Sequence, residues 1–331
     1  MTITVGPLRA ETGSKVRGVV RVDLGATVAE VPVTLVNGVS HGPRVVITGG
    51  VHGGEFVGID ATARLAARLE PGDVRGQVVI CPIANPPAVY QGRLNRSPLD
   101  GININRVFPG NPAGSPTERM AAWLFENLID GADAYADLHS GGIDETLSDF
   151  VGYRRTGDAL VDEKARAMAH AVGYEDVIPR PEPDGGNSHA AAARRGIPAI
   201  LIETGQLGER DEATVRKLLD GLYRLLHHLG VLDEPTATAA GNTREWNWVG
   251  AVEAPAAGLW YPDFTRGSEV TAGQTIGHIL DPVDGREHKV TTPATGRVIF
   301  GMRGLTVAPG AALAAIAAPA PTDLDAGRHT H

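Results

Sequence analysis

Residues 45–56 read Val45-Val46-Ile47-Thr48-Gly49-Gly50-Val51-His52-Gly53-Gly54-Glu55-Phe56. The β-branched run is typical of a buried strand, the glycines predict a tight turn, and a helical pattern begins after them. The turn therefore carries a histidine and a glutamate three residues apart, two side chains that can bind one metal ion. The spacing alone is a weak signal, because a chain with 11 histidines and 39 acidic residues among 331 positions contains it about 1.3 times by chance.

The composition, with 42% apolar and 21% charged residues, is typical of a soluble globular protein. A length of 331 residues predicts one large domain or two smaller ones. The net charge of −9 argues against nucleic acid as a partner, and the single cysteine, Cys81, excludes an internal disulfide and a cysteine-based zinc site. We find neither a signal-peptide pattern nor a long apolar run, so we expect a cytoplasmic protein that does not span a membrane.

Strand and helix patterns alternate through most of the chain, which predicts an α/β fold. An apolar run at 44–48 is followed by a helical pattern at 58–69 and a second apolar run at 77–83. This strand-helix-strand unit with short links implies two parallel strands. A capping box formed by Ser115 and Glu118 marks the start of a later helix. The other patterns predict strands at 31–36, 133–138 and 197–202 and helices at 116–129, 157–171, 190–195 and 211–228.

The composition changes in the last third of the chain. Residues 235–241 are mostly small, as in a linker, and residues 245–316 hold short apolar runs between turn residues without helical periodicity. We therefore predict an α/β domain over residues 1–234, a small all-β domain over residues 242–317 and a disordered tail over residues 318–331.

A third candidate metal ligand, His139, closes the strand predicted at 133–138. Asp137 lies two residues earlier, on the same side of the strand, and can therefore orient the His139 ring. His52, Glu55 and His139 would all lie at the C-terminal ends of strands, where sites gather in open α/β sheets. Two histidines and one carboxylate with a position left open are typical of a catalytic rather than a structural zinc site.

Glu203 follows the strand predicted at 197–202, where a carboxylate could transfer a proton during hydrolysis. Residues 84–114 form a long irregular segment, and loops of this length inside a domain are usually functional. An arginine in a pocket can bind a carboxylate or stabilise an oxyanion. The residues of interest in this loop are Arg93, Arg96, Asn105 and Arg106. Taken singly, each of them is more often an ordinary surface residue.

Four blocks of the sequence resemble the succinylglutamate desuccinylase/aspartoacylase family, a branch of the zinc carboxypeptidase superfamily. They are residues 49–55, 97–110, 137–141 and 194–205, in the order and separation typical of the family. Residues 258–274 are similar to the family's C-terminal domain, a barrel-sandwich hybrid. The resemblance implies a zinc-carboxypeptidase-like α/β fold with a mixed, largely parallel sheet flanked by helices, followed by a small all-β module.

The resemblance also implies roles for individual residues. One Zn²⁺ per chain would be held by His52, Glu55 and His139, and Glu203 would be the proton shuttle. Asn105 and Arg106 would hold a substrate carboxylate, and Arg96 would polarise the scissile carbonyl. Arg93 is the alternative for this last role and is otherwise a substrate-binding candidate. Position 54 is glycine where the family often has aspartate, a difference that leaves the ligands intact.

The expected function is therefore that of a zinc-dependent amidohydrolase. It would remove a succinyl, acetyl or similar N-acyl group from a small amino acid or a related amine. A zinc carboxypeptidase acting on short peptides is one alternative, and a non-catalytic zinc-stabilised binding protein is another. The presence of all three ligands and of Glu203 counts against a binding protein. The sequence leaves the oligomeric state open, including a homo-oligomer.

Overall fold

The computed structural model describes residues 2–92, 95–181, 186–233 and 243–319. Strands and helices alternate up to residue 233, and every regular element described after residue 243 is a strand. Within these described ranges, no helix combines the length and the apolar character needed to cross a membrane. The predicted linker and residues 320–331 of the predicted tail lie outside the described residues.

Up to residue 233, the described residues form eleven strands and five α-helices. The strands are β1 (Ile3–Val5), β2 (Leu8–Ala10), β3 (Ser14–Asp23), β4 (Val28–Asn37), β5 (Ser40–Thr48), β6 (Arg75–Cys81), β7 (Ala134–His139), β8 (Glu145–Leu147), β9 (Phe150–Arg155), β10 (Asp176–Pro181) and β11 (Ala199–Glu203). The helices are α1 (Phe56–Arg68), α2 (Pro116–Leu124), α3 (Ala159–Ala171), α4 (Ser188–Arg194) and α5 (Glu212–His228). Short turns of 3-10 or π-helix lie at Pro71–Asp73, Pro87–Gly92, Ile104–Arg106 and Phe125–Ile129.

One large sheet forms the centre of this part, with the strand order β3-β4-β6-β5-β7-β11-β9-β10. Strands β6, β5, β7 and β11 are parallel neighbours, and so are β9 and β10. Strands β11 and β9 run antiparallel, and β3 and β4 add an antiparallel edge. The sheet is therefore mixed, and the parallel pair predicted on either side of the first helix is confirmed as β5 and β6.

Helices cover both faces of this sheet, which explains why β5 is a continuous apolar run. Val45 and Ile47 face a core shared with α1, α3 and α5, whereas Val46 faces a core shared with α2 and α4. All three side chains are completely buried. Helix α2 begins as its capping box predicts, since the Ser115 hydroxyl accepts from the Glu118 backbone and the Glu118 carboxylate accepts from the Ser115 backbone.

The sequence patterns do not predict β9 and β10. Their apolar residues are interrupted by Gly152 and Arg154 in β9 and by Arg180 in β10. One face of these strands lies against a cavity rather than against a hydrophobic core, so it needs no apolar run. The side of these strands that borders the cavity therefore lacks the apolar pattern by which strands are predicted.

The part of the chain from residue 243 is an all-β module with its own core between two sheets. Strands β12, β19, β17 and β14 form one sheet, and β16, β15, β13 and β18 form the other. The strands are β12 (Arg244–Glu253), β13 (Gly258–Pro262), β14 (Glu269–Val270), β15 (Thr275–Leu280), β16 (Glu287–Thr291), β17 (Gly296–Met302), β18 (Thr306–Val307) and β19 (Ala312–Pro319).

The module is joined to the α/β part by backbone pairing at two places. Strand β12 runs parallel to the start of β10, and β17 pairs with β8. At the pairing of β10 with β12, Asp176 of β10 is buried and accepts a hydrogen bond from Trp246 Nε1 at 2.8 Å. The guanidinium of Arg297 lies 2.9 Å from the same carboxylate. The large sheet therefore continues into the module, and a charged contact fixes the junction.

We expect Asp176→Ala to lower the free energy of unfolding by about 3 kcal/mol, because it leaves the Trp246 N–H and the Arg297 guanidinium without their acceptor. Urea unfolding followed by circular dichroism measures this change. The control is Asp263→Ala, which removes an exposed carboxylate from the same module and should change the free energy by less than about 0.5 kcal/mol. Equal effects of the two substitutions would contradict a role of Asp176 at the junction.

Candidate active site

The turn between β5 and α1 presents two of the predicted ligands. A Cβ at Gly49 would lie 2.7 Å from the Gly58 carbonyl oxygen, and Gly50 has a φ of 64°, a left-handed conformation that favours glycine. Positions 49 and 50 of this tight turn therefore require glycine. Glu55 occupies the N-cap position of α1, but its side chain does not cap the helix. The carboxylate points towards two histidines instead.

The three predicted ligands meet in the structure. Glu55 Oε1 lies 2.7 Å from His52 Nδ1, and Glu55 Oε2 lies 2.7 Å from His139 Nδ1. The two imidazole rings are 5.0 Å apart between centroids. All three side chains are buried, and one ligand atom from each lies within 4.8 Å of the other two.

The second nitrogen of each ring is held by another side chain. His52 Nε2 lies 3.0 Å from Asn103 Oδ1, and His139 Nε2 lies 3.0 Å from Asp137 Oδ2. Asp137 is completely buried, and it reaches the ring because residues two apart on β7 share a face. Its other hydrogen-bond donors are the hydroxyls of Thr48 and Ser188. These contacts keep both Nδ1 atoms turned towards the shared carboxylate.

The pKa values of Glu55 and His139 are both shifted by their neighbours in the cluster. Burial by itself raises the pKa of Glu55, but the two neighbouring histidines outweigh burial and hold that pKa well below its usual range. Burial lowers the pKa of His139, but the carboxylates of Asp137 and Glu55 outweigh it and raise that pKa well above its usual range. The shifts therefore reflect the close contacts between the carboxylates and the imidazole rings of the cluster.

This donor set fits a divalent metal ion such as Zn²⁺. Two imidazole nitrogens and one carboxylate are ligands that zinc prefers, and they converge here from one turn and one strand end. The cluster borders a cavity, so positions remain for water and substrate on that side. The chemistry and the geometry of the residues therefore agree with the predicted metal centre.

Glu203 lies beside this cluster, because it ends β11 and pairs in register with His139 on the neighbouring β7. The residue is partly buried, and its Oε2 atom is buried without a hydrogen-bond partner among the described residues. Burial is the main reason why the pKa of Glu203 is raised well above the usual range of a carboxyl group, although His139 partly offsets it. Such a carboxyl group is a candidate for proton transfer.

A cavity of about 300 Å³ opens next to the three ligands. Its floor consists of alternate residues of three adjacent strands, and one wall comes from the C-terminal module. The floor residues are Phe150, Gly152, Arg154, Ile178, Arg180, Leu201 and Glu203, and the wall residues from the module are Trp248, Ile299 and Phe300. A cavity of this volume suits a small molecule.

The long loop contributes Asn103, Asn105 and Arg106 to the cavity. Asn105 is buried, and its side chain already contacts the protein: Oδ1 accepts from the Ser188 backbone at 2.9 Å, and Nδ2 lies 3.3 Å from His139 Nε2. Arg106 is exposed, with Nη1 donating to the Asn105 carbonyl oxygen at 2.8 Å. Both residues therefore line the cavity, and Asn105 contacts the candidate ligand His139.

The structure does not bring Arg96 into the cavity. Its side chain is exposed, and Nη1 donates to the carbonyl oxygen of Gly101 in its own loop at 3.1 Å. The predicted role of Arg96 in polarising the carbonyl therefore has no support from its position. Arg93, the alternative, lies outside the described residues.

Sequence reasoning missed other charged residues of the cavity. Arg154 and Arg180 are direct neighbours across β9 and β10. Arg154 donates from Nε to His189 Nε2 at 3.2 Å and from Nη2 to Asn187 Oδ1 at 3.0 Å. Burial, together with the positive charge of Arg154, lowers the pKa of His189 to about 3, so that the ring is neutral. No sequence signal pointed to these arginines, because the strands β9 and β10 that carry them were not predicted.

The fold and the site together define an α/β protein with a candidate metal centre at the carboxyl edge of its sheet. Residues 41–229, more than half of the chain, match the catalytic domain of succinylglutamate desuccinylase and aspartoacylase. The chain belongs to the succinylglutamate desuccinylase/aspartoacylase family.

Individual relatives agree with this assignment. The chain is 33% identical over 266 residues to the N-alpha-acetyl-L-2,4-diaminobutyric acid deacetylase of Halomonas elongata, which covers 76% of this chain and 74% of the relative. A succinylglutamate desuccinylase/aspartoacylase structure from Rhodobacter sphaeroides is 31% identical with a TM-score of 0.84, covering 93% and 96% of the two chains. The product-bound ectoine utilization protein EutE (DoeB) of Ruegeria pomeroyi has the same fold, with a TM-score of 0.84 at 24% identity and coverage of 92% and 95%.

We expect the protein to bind about one Zn²⁺ per chain, and we expect Glu55→Ala and His139→Ala each to weaken zinc affinity more than about 100-fold, because each removes a ligand. Competition with a chromophoric chelator and elemental analysis after dialysis measure this. His41→Ala, which removes an exposed histidine, is the control and should leave affinity unchanged. Full zinc binding by the His139 variant would refute the assigned ligands.

We expect Asp137→Asn to weaken zinc affinity by about 10- to 100-fold while the protein stays folded, because the His139 ring loses a charged acceptor but keeps a neighbour of the same size. The same chelator competition measures the effect. Asp73→Asn, in an exposed turn, is the matched control. An affinity equal to that of the wild type would show that Asp137 does not support the ligand.

Proposed function

We propose that this protein is a zinc-dependent deacylase that hydrolyses the amide bond of a small N-acyl amino acid or related amine. The observation that carries the proposal is the position of Glu203, whose buried Oε2 atom has no hydrogen-bond partner among the described residues and which pairs in register with a candidate metal ligand. The deacetylase activity named for the Halomonas elongata relative supports the same reaction class.

The residues that would hold the zinc ion are His52, Glu55 and His139, through both Nδ1 atoms and the carboxylate that already lies between them. When bound, zinc supplies polarisation of the acyl carbonyl and activation of a water molecule. Asp137 and Asn103 contribute by fixing the orientation of the two rings.

Glu203 would move the proton. Its carboxylate is close enough to His139 to be affected by the ring's charge, and burial makes it a better base than an exposed carboxylate. It would accept a proton from the attacking water and deliver it to the departing amine nitrogen. No side chain of the described residues donates to its Oε2 atom, so no fixed hydrogen bond competes with a proton there.

Arg106 would bind a substrate carboxylate, as the family resemblance implies, since it lines the cavity with exposed donors. Asn105 would mainly hold neighbouring protein groups in place rather than bind the substrate, because its amide already contacts Ser188 and His139. Arg93 and Arg96 stay candidates from the resemblance alone for polarising the carbonyl.

The cavity wall favours a small substrate over a peptide. Trp248, Ile299 and Phe300 of the C-terminal module line the cavity. A volume of about 300 Å³ holds an acyl amino acid, whereas a carboxypeptidase needs room for a longer chain beyond the scissile bond. A carboxypeptidase therefore remains the second candidate, and N-acyl amino acids come first.

The test combines substrates with one substitution. The zinc-loaded wild type is assayed with N-acetyl and N-succinyl amino acids and with dipeptides. We expect hydrolysis of at least one acyl amino acid, and Glu203→Gln should lower kcat by about 10²- to 10⁴-fold while zinc content stays the same, because the general base is lost but the ligands remain. Glu209→Gln, an exposed carboxylate nearby in the sequence, is the control.

Hydrolysis of dipeptides but of no N-acyl amino acid would show that the protein is a carboxypeptidase and not a deacylase. Zinc binding without hydrolysis of any member of the panel would favour a binding protein. Full activity of the Glu203→Gln variant would remove Glu203 from the mechanism.

A further inference from the structure

Trp248 brings an indole ring from the C-terminal module into the wall of the cavity. Its strand, β12, pairs in parallel with β10 at Asp176 and Val177, and the same register carried further brings Trp248 level with Arg180. The Arg180 guanidinium lies over the indole ring, with its Cζ atom 4.6 Å from the ring centroid. A cation on the face of a tryptophan ring is an attractive contact. The ring is therefore held in a defined orientation at this place.

The floor of the cavity leads from Glu203 to this ring. Leu201 lies two residues before Glu203 on the same face of β11. It pairs with Gly152 of β9, which in turn pairs with Ile178 of β10. Arg180, which contacts the indole ring, follows Ile178 by two residues on the same strand face. All of these residues line the cavity, so they form a continuous surface across three strands.

Gly152 leaves space in the middle of this floor. Its neighbours on the same face of β9, Phe150 and Arg154, present large side chains to the cavity. A Cβ at position 152 would lie 3.5 Å from its nearest atom, Phe150 Cε2, which is an ordinary contact distance. Its φ also lies outside the left-handed region that favours glycine. Since the backbone does not require glycine here, we infer that the open space above it is what matters, as where a ligand approaches a strand closely.

The released half of the substrate would lie over this floor. In the proposed mechanism, Glu203 delivers a proton to the departing amine nitrogen, so this nitrogen would lie next to Glu203. A side chain on the carbon that bears the nitrogen could then extend over Leu201 and Gly152 towards Trp248. Leu201 and Ile178 give this path an apolar lining, which suits an aliphatic chain.

We propose that Gly152 and Trp248 determine which side chain the released amino acid can carry. Gly152 would leave room for a short unbranched side chain, and the indole ring of Trp248 would limit its length. This inference rests on the proposed deacylase function. Because the ring cannot move aside without losing its contact with Arg180, the limit on length should be sharp.

The experiment uses N-acetyl amino acids whose unbranched side chains grow by one carbon at a time, from alanine to 2-aminooctanoate. For the zinc-loaded wild type, we expect kcat/KM to fall by at least about tenfold at one step of this series, because one methylene that does not fit a pocket costs about 10- to 200-fold. Trp248→Ala should move this step to a longer side chain, since it removes the limiting ring. Gly152→Ala should move it to a shorter one, since the added methyl group fills the space above the floor.

Further variants make the test specific. Val249→Ala changes the exposed residue next to Trp248 and should leave the series unchanged. Trp248→Phe keeps a smaller ring and should give an intermediate shift. Arg180→Met should act in the same direction as Trp248→Ala but less strongly, because the indole ring stays and loses the cation that holds it. Circular dichroism and zinc content establish that each variant is folded and loaded.

A second series tests which half of the substrate meets the ring. It keeps one amino acid constant and lengthens the acyl group from acetyl to hexanoyl. Trp248→Ala should leave the relative kcat/KM values of this acyl series within about twofold of those of the wild type. A clear gain for long acyl groups would place the ring against the acyl half and would overturn the assignment to the released half.

The failure of this inference differs from the failure of the proposed function. If no N-acyl amino acid releases its acyl group, the deacylase function is wrong. If these substrates are hydrolysed but the wild type shows no step, or if the step stays at the same length in Trp248→Ala, the role of Trp248 is wrong and the deacylase function stands. An unchanged series in Gly152→Ala would remove Gly152 in the same way. Should Trp248→Ala fail to fold, the shift in Trp248→Phe decides the question.

Discussion

The contact of the Glu55 carboxylate with two histidines is the interaction on which the rest of the site depends. It joins a turn after β5 to the end of β7, through two distances of 2.7 Å between buried atoms. The two imidazole rings offset the cost of burying this carboxylate, and they also lower its pKa. The parallel pairing of β5 with β7 brings the two segments to the same edge of the sheet, where a metal ion can be bound.

The C-terminal module acts on this site through backbone pairing. Because β12 continues the large sheet and β17 pairs with β8, the module's side chains Trp248 and Phe300 have fixed positions in the cavity wall. The same β8 carries Glu145, so one short strand links the module, the cavity and the loop after His139. The volume of the cavity is thus a property of both parts of the chain.

Much of the α/β part could be predicted from the sequence, because its strands and helices have strong periodic patterns. The buried run at 44–48, the helix after it and the pairing of β5 with β6 are of this kind. Strands β9 and β10 could not be predicted, since Gly152, Arg154 and Arg180 break their apolar pattern on the side of the cavity. The family resemblance named Arg96, whose guanidinium lies outside the cavity, bound to the Gly101 carbonyl.

Local sequence is enough to predict two pieces of the site: the glycine turn with His52 and Glu55, and Asp137 two residues before His139 on one strand face. These are short-range relations, which spacing and backbone geometry fix. The three-dimensional structure was needed to show that Glu203 lies beside His139 with a buried Oε2 atom that has no hydrogen-bond partner among the described residues. Such properties depend on strand register and on what distant segments place beside a side chain, and local sequence does not encode them.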